Sequence, residues 1–198
     1  MSADGIHWRH LCWATEPELD DRDVILFPAK IGGRFAILRR PAQFVGPRYG
    51  TDRPGIWLSF SDDLRRWTPP HLLARPQFAW ESGRIGGATP PIPTPEGWLT
   101  FYHGVEETCP ADRTVIYRMG AMMLDLEDPR KVIGRCPQPL MEPETYYERF
   151  GLYIPNVIFP TGAVVKDGLV YLYYGVCDTA IALATAPLEE VIRHVLAR

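Results

Sequence analysis

Guanidinium and imidazole groups beside extended apolar segments are able to hold an oxyanion, though residue type alone singles out none of them in this chain. Arg22 lies in DDRD, Arg40 follows Arg39 in LRRP, Arg84 opens into the glycine turn GRIGG, and His103 sits in the aromatic segment FYHG. Such groups hold oxyanions well, because a guanidinium offers a planar fork of N–H donors to phosphate or carboxylate oxygens. Taken singly, each also has a plain reading. Arg22 is a solvated charge among acids, Arg84 a brace for its turn, and His103 a hydrogen-bonded core histidine. Of the neighbours Arg39 and Arg40, one is expected to point outward, since successive strand residues face opposite ways. Asp178, in GVCDTAIAL, follows a strand and Gly175, a position that either aims a carboxylate into a channel or simply forms a turn. Asn156 in IPNVIFP is a further channel candidate. Tyr102, Tyr173 and Tyr174 offer rings for stacking on a ligand, although tyrosines at strand spacing first of all pack a sheet. Trp57, Trp80 and Trp98 read as core, and Asp125, Glu127 and Asp128 as turn residues.

The background in which these residues sit narrows the options. The chain has 198 residues, 46% of them hydrophobic and 23% charged, enough to bury a core as one domain. A formal net charge of −3 leaves no basic stripe, which argues against a nucleic-acid or anionic-membrane partner. Cys12, Cys109, Cys136 and Cys177 form no CxxC pair and are too few for a disulfide scaffold, so reduced thiols in a cytoplasmic protein are expected. No His/Asp/Cys ligand constellation points to a metal, and no organic cofactor is expected. MSADGIHWRH lacks the apolar stretch of a secretory signal, and no run approaches the roughly 18 apolar residues of a membrane span.

Twenty prolines and 17 glycines punctuate the chain too often for long helices. The class expected is all-β, with strands at 24–27, 34–39, 55–60, 98–103, 117–124, 157–159, 163–166, 169–174 and 180–185. The tail PLEEVIRHVLAR from Pro187 reads as a short helix, with Glu189 and Glu190 in its first turn and Leu188, Val191, Ile192 and Leu196 on one face.

Two internal repeats organise these pieces. PAKIGGRFAILRR (28–40), IPTPEGWLTFYHGV (92–105) and AVVKDGLVYLYYGV (163–176) each run an extended segment through a glycine turn into an aromatic, branched strand. Gly33, Gly97 and Gly168 stand 64 and 71 positions apart, a spacing that suits a four-stranded propeller blade with long loops. IWLSFSDDLRRW (56–67), MGAMMLDLEDPRKVIG (119–134) and IALATAPLEEVI (181–192) form the second set. SADGIHW (2–8) matches SDDLRRW (61–67) in its Ser, Asp and Trp, and so reads as the end of a preceding blade. The expected division is 1–20 as that blade end and 21–75, 76–140 and 141–198 as three blades. Fewer blades than the roughly four to eight that close a propeller imply a missing N-terminal portion, a partner chain or a homo-oligomer.

DRDVILFPAKIGGRFAILRRP (21–41), IWLSFSDDLRRW, WESGRIGGATPPIPTPEGWLTFYHGV (80–105), YRMGAMMLDLEDPRKVIGRCPQPLMEPE (117–144) and NVIFPTGAVVKDGLVYLYYGVCDTAIALATAPLEEVI (156–192) resemble successive blades of glycoside hydrolase family 130. The resemblance implies a five-bladed β-propeller, present here as its C-terminal three-fifths, and inverting phosphorolysis of β-mannosides to mannose 1-phosphate. It places phosphate contacts on Arg22, Arg40, Arg84 and His103, with Arg84 standing where lysine is common. Asp178, Tyr102, Tyr174 and Asn156 become candidate substrate contacts. Inorganic phosphate is then the co-substrate, and the partner a β-linked manno-oligosaccharide or mannosyl-glucose. The family's general-acid aspartate belongs to an earlier part of the propeller, and no acid here matches its motif, so the resemblance implies a chain that holds part of the phosphate and sugar site without the proton donor and can be inactive by itself. A β-mannoside hydrolase of the same family is the alternative, disfavoured by the retained basic residues; a non-catalytic carbohydrate-binding or assembly module is another.

Overall fold

In the computed structural model, residues 2–109, 111 and 114–197 are described, and they build three antiparallel sheets. The first contains β1 (Asp21–Leu26), β2 (Phe35–Pro41), β3 (Ile56–Ser61) and β4 (His71–Ala74) in that order. The second is ordered β5 (Arg84–Gly87), β7 (Gly97–Cys109), β8 (Thr114–Leu124), β9 (Val132–Arg135), with β6 (Ile92–Thr94) also paired to β7. The third holds β10 (Ile158–Lys166), β11 (Leu169–Val176) and β12 (Ala180–Pro187). A one-turn helix α1 (Tyr146–Arg149) precedes the third sheet and α2 (Leu188–Leu196) follows it.

The three glycine turns each join an early strand of a sheet to the next one. In the tightest, Lys166 pairs with Leu169 around Asp167 and Gly168, at φ 52° and 75°. Two successive positive φ values match the right-handed twist of the flanking strands, and Asp-Gly is the dipeptide that tolerates them. The second repeat corresponds to β3, β8 and β12, the third strand of each sheet. The turn after β3 is closed by Asp63, whose Oδ1 accepts the N–H groups of Arg65 and Arg66 at 2.8 and 2.9 Å, with Leu64 at φ 65° between. Asp4 does the same for Ile6 and His7 at 2.9 and 2.8 Å, with Gly5 at φ 72°. Asp125 takes Glu127 and Asp128 likewise. The match between 2–8 and 61–67 is therefore one turn geometry made twice.

Four strands were not among those expected: β4, β5, β6 and β9. Each has three or four residues, and β5 (RIGG) and β6 (IPT) consist largely of the residues that normally interrupt strands. β5 and β6 exist because β7, buried from Gly97 to Val105, offers a ladder to pair with, while β4 pairs with β3 and β9 with β8, so context overrides propensity. The second sheet is the middle layer. Ile85, Trp80, Trp98 and Tyr102 pack with Leu38, Leu58 and Phe60 on one side, and Leu99, Phe101, Met119 and Met123 with Ile158, Leu172 and Tyr174 on the other. Helix α2 closes the second core with Val191, Ile192 and Val195.

Candidate functional site

Strands β1 and β2 of the first sheet and β5, β7 and β8 of the second carry the polar side chains that meet in one place, and an irregularity in β1 starts the arrangement. The β1–β2 register slips between Arg22 and Ile25, and Asp23 takes a left-handed φ of 53° there. Its carboxylate Oδ2 accepts a hydrogen bond from Arg40 Nε at 2.5 Å and lies 3.7 Å from His103 Nε2. Gly86 pairs with His103 across β5 and β7. A Cβ at Gly86 would stand 2.0 Å from Asp23 Oδ2, 2.5 Å from His103 Cε1 and 2.8 Å from Arg40 Nε, so only bare backbone allows the three groups to converge.

Aromatic rings and a second arginine complete the cluster. The His103 ring lies 4.5 Å from that of Phe159 and 5.9 Å from that of Tyr117. Arg84 Nη2 donates to the Tyr117 hydroxyl at 2.5 Å, with the guanidinium 5.4 Å from the ring centroid. Beside Tyr117 opens a cavity of about 250 Å³ lined by Tyr117, Ile154, Val157, Phe159 and Asp178. Asn156, at φ 58°, holds Tyr117 through its backbone by accepting the Tyr117 N–H at 2.9 Å. Arg22 is exposed, clasped bidentately by Asp20 at 2.8 Å. That pairing raises its pKa, with smaller contributions from Asp23 and Tyr117.

Among the expected residues, then, Arg40, Arg84 and His103 are brought together, Arg22 flanks them, and Asp178 and Asn156 border the adjoining cavity or its wall. Two are not brought there. Tyr102 and Tyr174 turn to the opposite faces of their strands and are sealed in core clasps. Tyr102 donates to Glu81 Oε1 at 2.7 Å, which also takes Arg135 Nη2 at 2.7 Å, while Glu81 Oε2 accepts the backbone N–H groups of Gln77 and Phe78. Tyr174 donates to Glu148 Oε1 at 2.8 Å, and Glu148 Oε2 accepts from Glu144 and Thr145. Burial pushes both phenols well above the ordinary tyrosine range, so they remain hydroxyl donors. In the first sheet Arg39 takes the corresponding place, buried and paired with Asp21 at 2.6 Å and Glu16 at 2.7 Å. Neither Arg39 nor Arg40 points into solvent as the alternation suggested: they face opposite sides of the strand, and each has its own carboxylate.

The cluster residues missed in the sequence are Asp23, Tyr117 and Phe159. Asp23 directly follows Arg22, yet regular alternation puts it on the face of Asp21, and only the register slip directs it toward Arg40.

His103 is 1% exposed, and its pKa is lowered to about 4, first by burial and then by Arg40 and Arg84, against the pull of Asp23. The imidazole is therefore neutral in the folded protein at neutral pH. Because the unfolded chain takes up this proton at about 6.5 and the folded one only near 4, the stability this group confers is complete above 6.5. It falls as the pH drops through that window and levels off below it. A shift of this size is worth about 3 kcal/mol. Thermal melts at both ends of the window should show a deficit in the wild type that is about 3 kcal/mol larger than in His103→Gln; equal deficits would refute the assignment.

With this geometry in place, similarity to known proteins decides the family. The profile described as beta-1,4-mannooligosaccharide phosphorylase, glycoside hydrolase family 130, matches residues 14–196. The chain belongs to glycoside hydrolase family 130. It is 41% identical over 194 residues to a 1,2-beta-oligomannan phosphorylase of Thermoanaerobacter sp. (strain X514), covering 91% of this chain and 60% of that protein. It is 36% identical over 177 residues to a beta-1,4-mannooligosaccharide phosphorylase of Ruminococcus albus, covering 88% and 50%. The structure superposes on the beta-1,2-mannobiose phosphorylase of Listeria innocua, solved in complex with beta-1,2-mannobiose, with a TM-score of 0.77 and 34% identity over 93% of this chain and 49% of that one. The chain thus spans about half of the length of these family 130 relatives.

Proposed function

We propose that this chain carries the phosphate-gripping part of a family 130 β-mannoside phosphorylase, its three sheets being blades of a five-bladed propeller. The observation that carries the reading is the convergence of Arg40, Arg84 and His103 beside the cavity that Asp178 borders. In phosphorolysis a phosphate oxygen attacks the anomeric carbon as the C1–O bond to the acceptor breaks. The electron pair goes to the leaving oxygen, which takes a proton from an acid or through a sugar hydroxyl. The two arginines would hold the incoming anion in line, and the neutral His103 would add a hydrogen bond rather than a charge. Asp178 would accept from sugar hydroxyls. None of the acids described is assigned as the proton donor. The basic cluster supports phosphorolysis over hydrolysis, which needs no anion grip, and the relatives above are named for phosphorolysis of β-1,2- and β-1,4-linked mannosides.

The test is to supply β-1,2- and β-1,4-mannobiose with and without inorganic phosphate and follow mannose 1-phosphate. Any mannose 1-phosphate formed is expected to require phosphate. Release of free mannose without phosphate would make the protein a hydrolase, and anion binding with no turnover would leave it a binding module.

A further inference from the structure

Asp23 is out of place in a cradle for an anion. Its carboxylate sits between Arg40 and His103, its side chain is 13% exposed, and only Oδ2 is engaged by Arg40; among the described residues Oδ1 has no partner. The backbone holds it there at φ 53°, a conformation unfavourable for a residue with a Cβ, and Gly86 leaves free the space it fills. Charge makes the placement costly. Arg40 and Arg84 supply two positive charges, Arg22 is matched by Asp20, and one of the two is offset by Asp23. A fixed carboxylate repels any fully ionised anion, unless the anion brings a hydrogen for it to accept.

Monohydrogen phosphate brings one. Sulfate carries the same charge and nearly the same shape but has no proton at neutral pH. Resting on the phosphate-site reading above, we propose that Asp23 determines anion specificity: its free oxygen accepts the P–OH of phosphate, leaving the three unprotonated oxygens, which share the two negative charges, to Arg40, Arg84 and the reacting carbon. The logic is that of a site built to hydrogen-bond a hydroxyl, which rejects an analogue lacking it because the site's own polar group is left unmatched.

Calorimetric titration of phosphate, arsenate and sulfate at constant ionic strength in chloride, slightly above neutral pH, tests the idea, since arsenate also carries a proton. The wild type should bind phosphate and arsenate at least about tenfold more tightly than sulfate, the discrimination that one charge-assisted hydrogen bond supplies. In Asp23→Asn the gap should close to within about threefold, chiefly through tighter sulfate binding. Asp23→Gly, which fits the left-handed φ and so keeps the fold, should close it too. The inference is overturned if the wild type binds sulfate as well as phosphate, or if both variants keep the gap. It is equally overturned if the variants lose all three anions together while melting normally, which would make Asp23 a clamp for Arg40 alone. Absence of any anion binding by the wild type would instead remove the phosphate-site reading on which the inference stands.

Discussion

Glu81→Ala is expected to destabilise the protein by about 3–5 kcal/mol, the range for removing one partner of a buried ion pair. For a chain of this size that lowers the melting temperature by roughly 6–20 °C. The carboxylate is completely buried and gathers four donors: two backbone N–H groups on Oε2, and the Tyr102 hydroxyl and Arg135 on Oε1. Truncation strands the Arg135 guanidinium, which is only 9% exposed, and leaves the Tyr102 hydroxyl without its acceptor. The penalty comes from what remains unpaired, so it can be partly undone. Tyr102→Phe alone should cost about 1 kcal/mol, and combining it with Glu81→Ala should cost less than the two separate losses added. Chemical denaturation of the four proteins measures this. A Glu81→Ala protein within about 1 kcal/mol of the wild type would mean that solvent reaches the clasp and takes over its hydrogen bonds.

The same clasp explains what the sequence conceals. Glu148 with Tyr174 repeats Glu81 with Tyr102, and Arg39 with Glu16 stands in that place in the first sheet, so this is a third internal repeat. It is hard to see in the chain because its acid and its strand partner lie 21 to 26 positions apart with no fixed spacing, and because arginine replaces tyrosine in one copy. Without it, Tyr102 and Tyr174 look like ligand-facing rings, each directly before a residue at an expected strand end, His103 and Gly175. Strand alternation was the available guide: if His103 faces the cluster, Tyr102 cannot. The glycine turns and the aspartate-closed turns were legible because their chemistry is local, a left-handed φ or a carboxylate meeting N–H groups two and three residues on. Arg40, Arg84 and His103 were legible only through family resemblance. Nothing within DRD announces the slip in β1 that turns Asp23 inward, since that slip is set by pairing with β2.

Arg40→Met should weaken phosphate binding by roughly a hundredfold or more, the loss expected when a buried, hydrogen-bonded charge facing an anion is truncated. The effect has two parts that a single variant confounds. Methionine removes the donor fork from the anion, and it also leaves the Asp23 carboxylate facing the incoming phosphate without its 2.5 Å partner. Pairing it with Asp23→Asn separates them. The double variant carries no net change in charge and no stranded carboxylate, so its melting temperature should recover most of what Arg40→Met loses. Its phosphate affinity should recover only the share due to repulsion and stay at least about tenfold below the wild type, because the fork is still gone. Arg40→Lys should fall between, since an ammonium supplies charge without bidentate geometry. Phosphate affinity within threefold of the wild type in Arg40→Met would show that Arg40 serves only to anchor Asp23. Arg84, braced on Tyr117 within the second sheet, would then be left as the principal cation of the site.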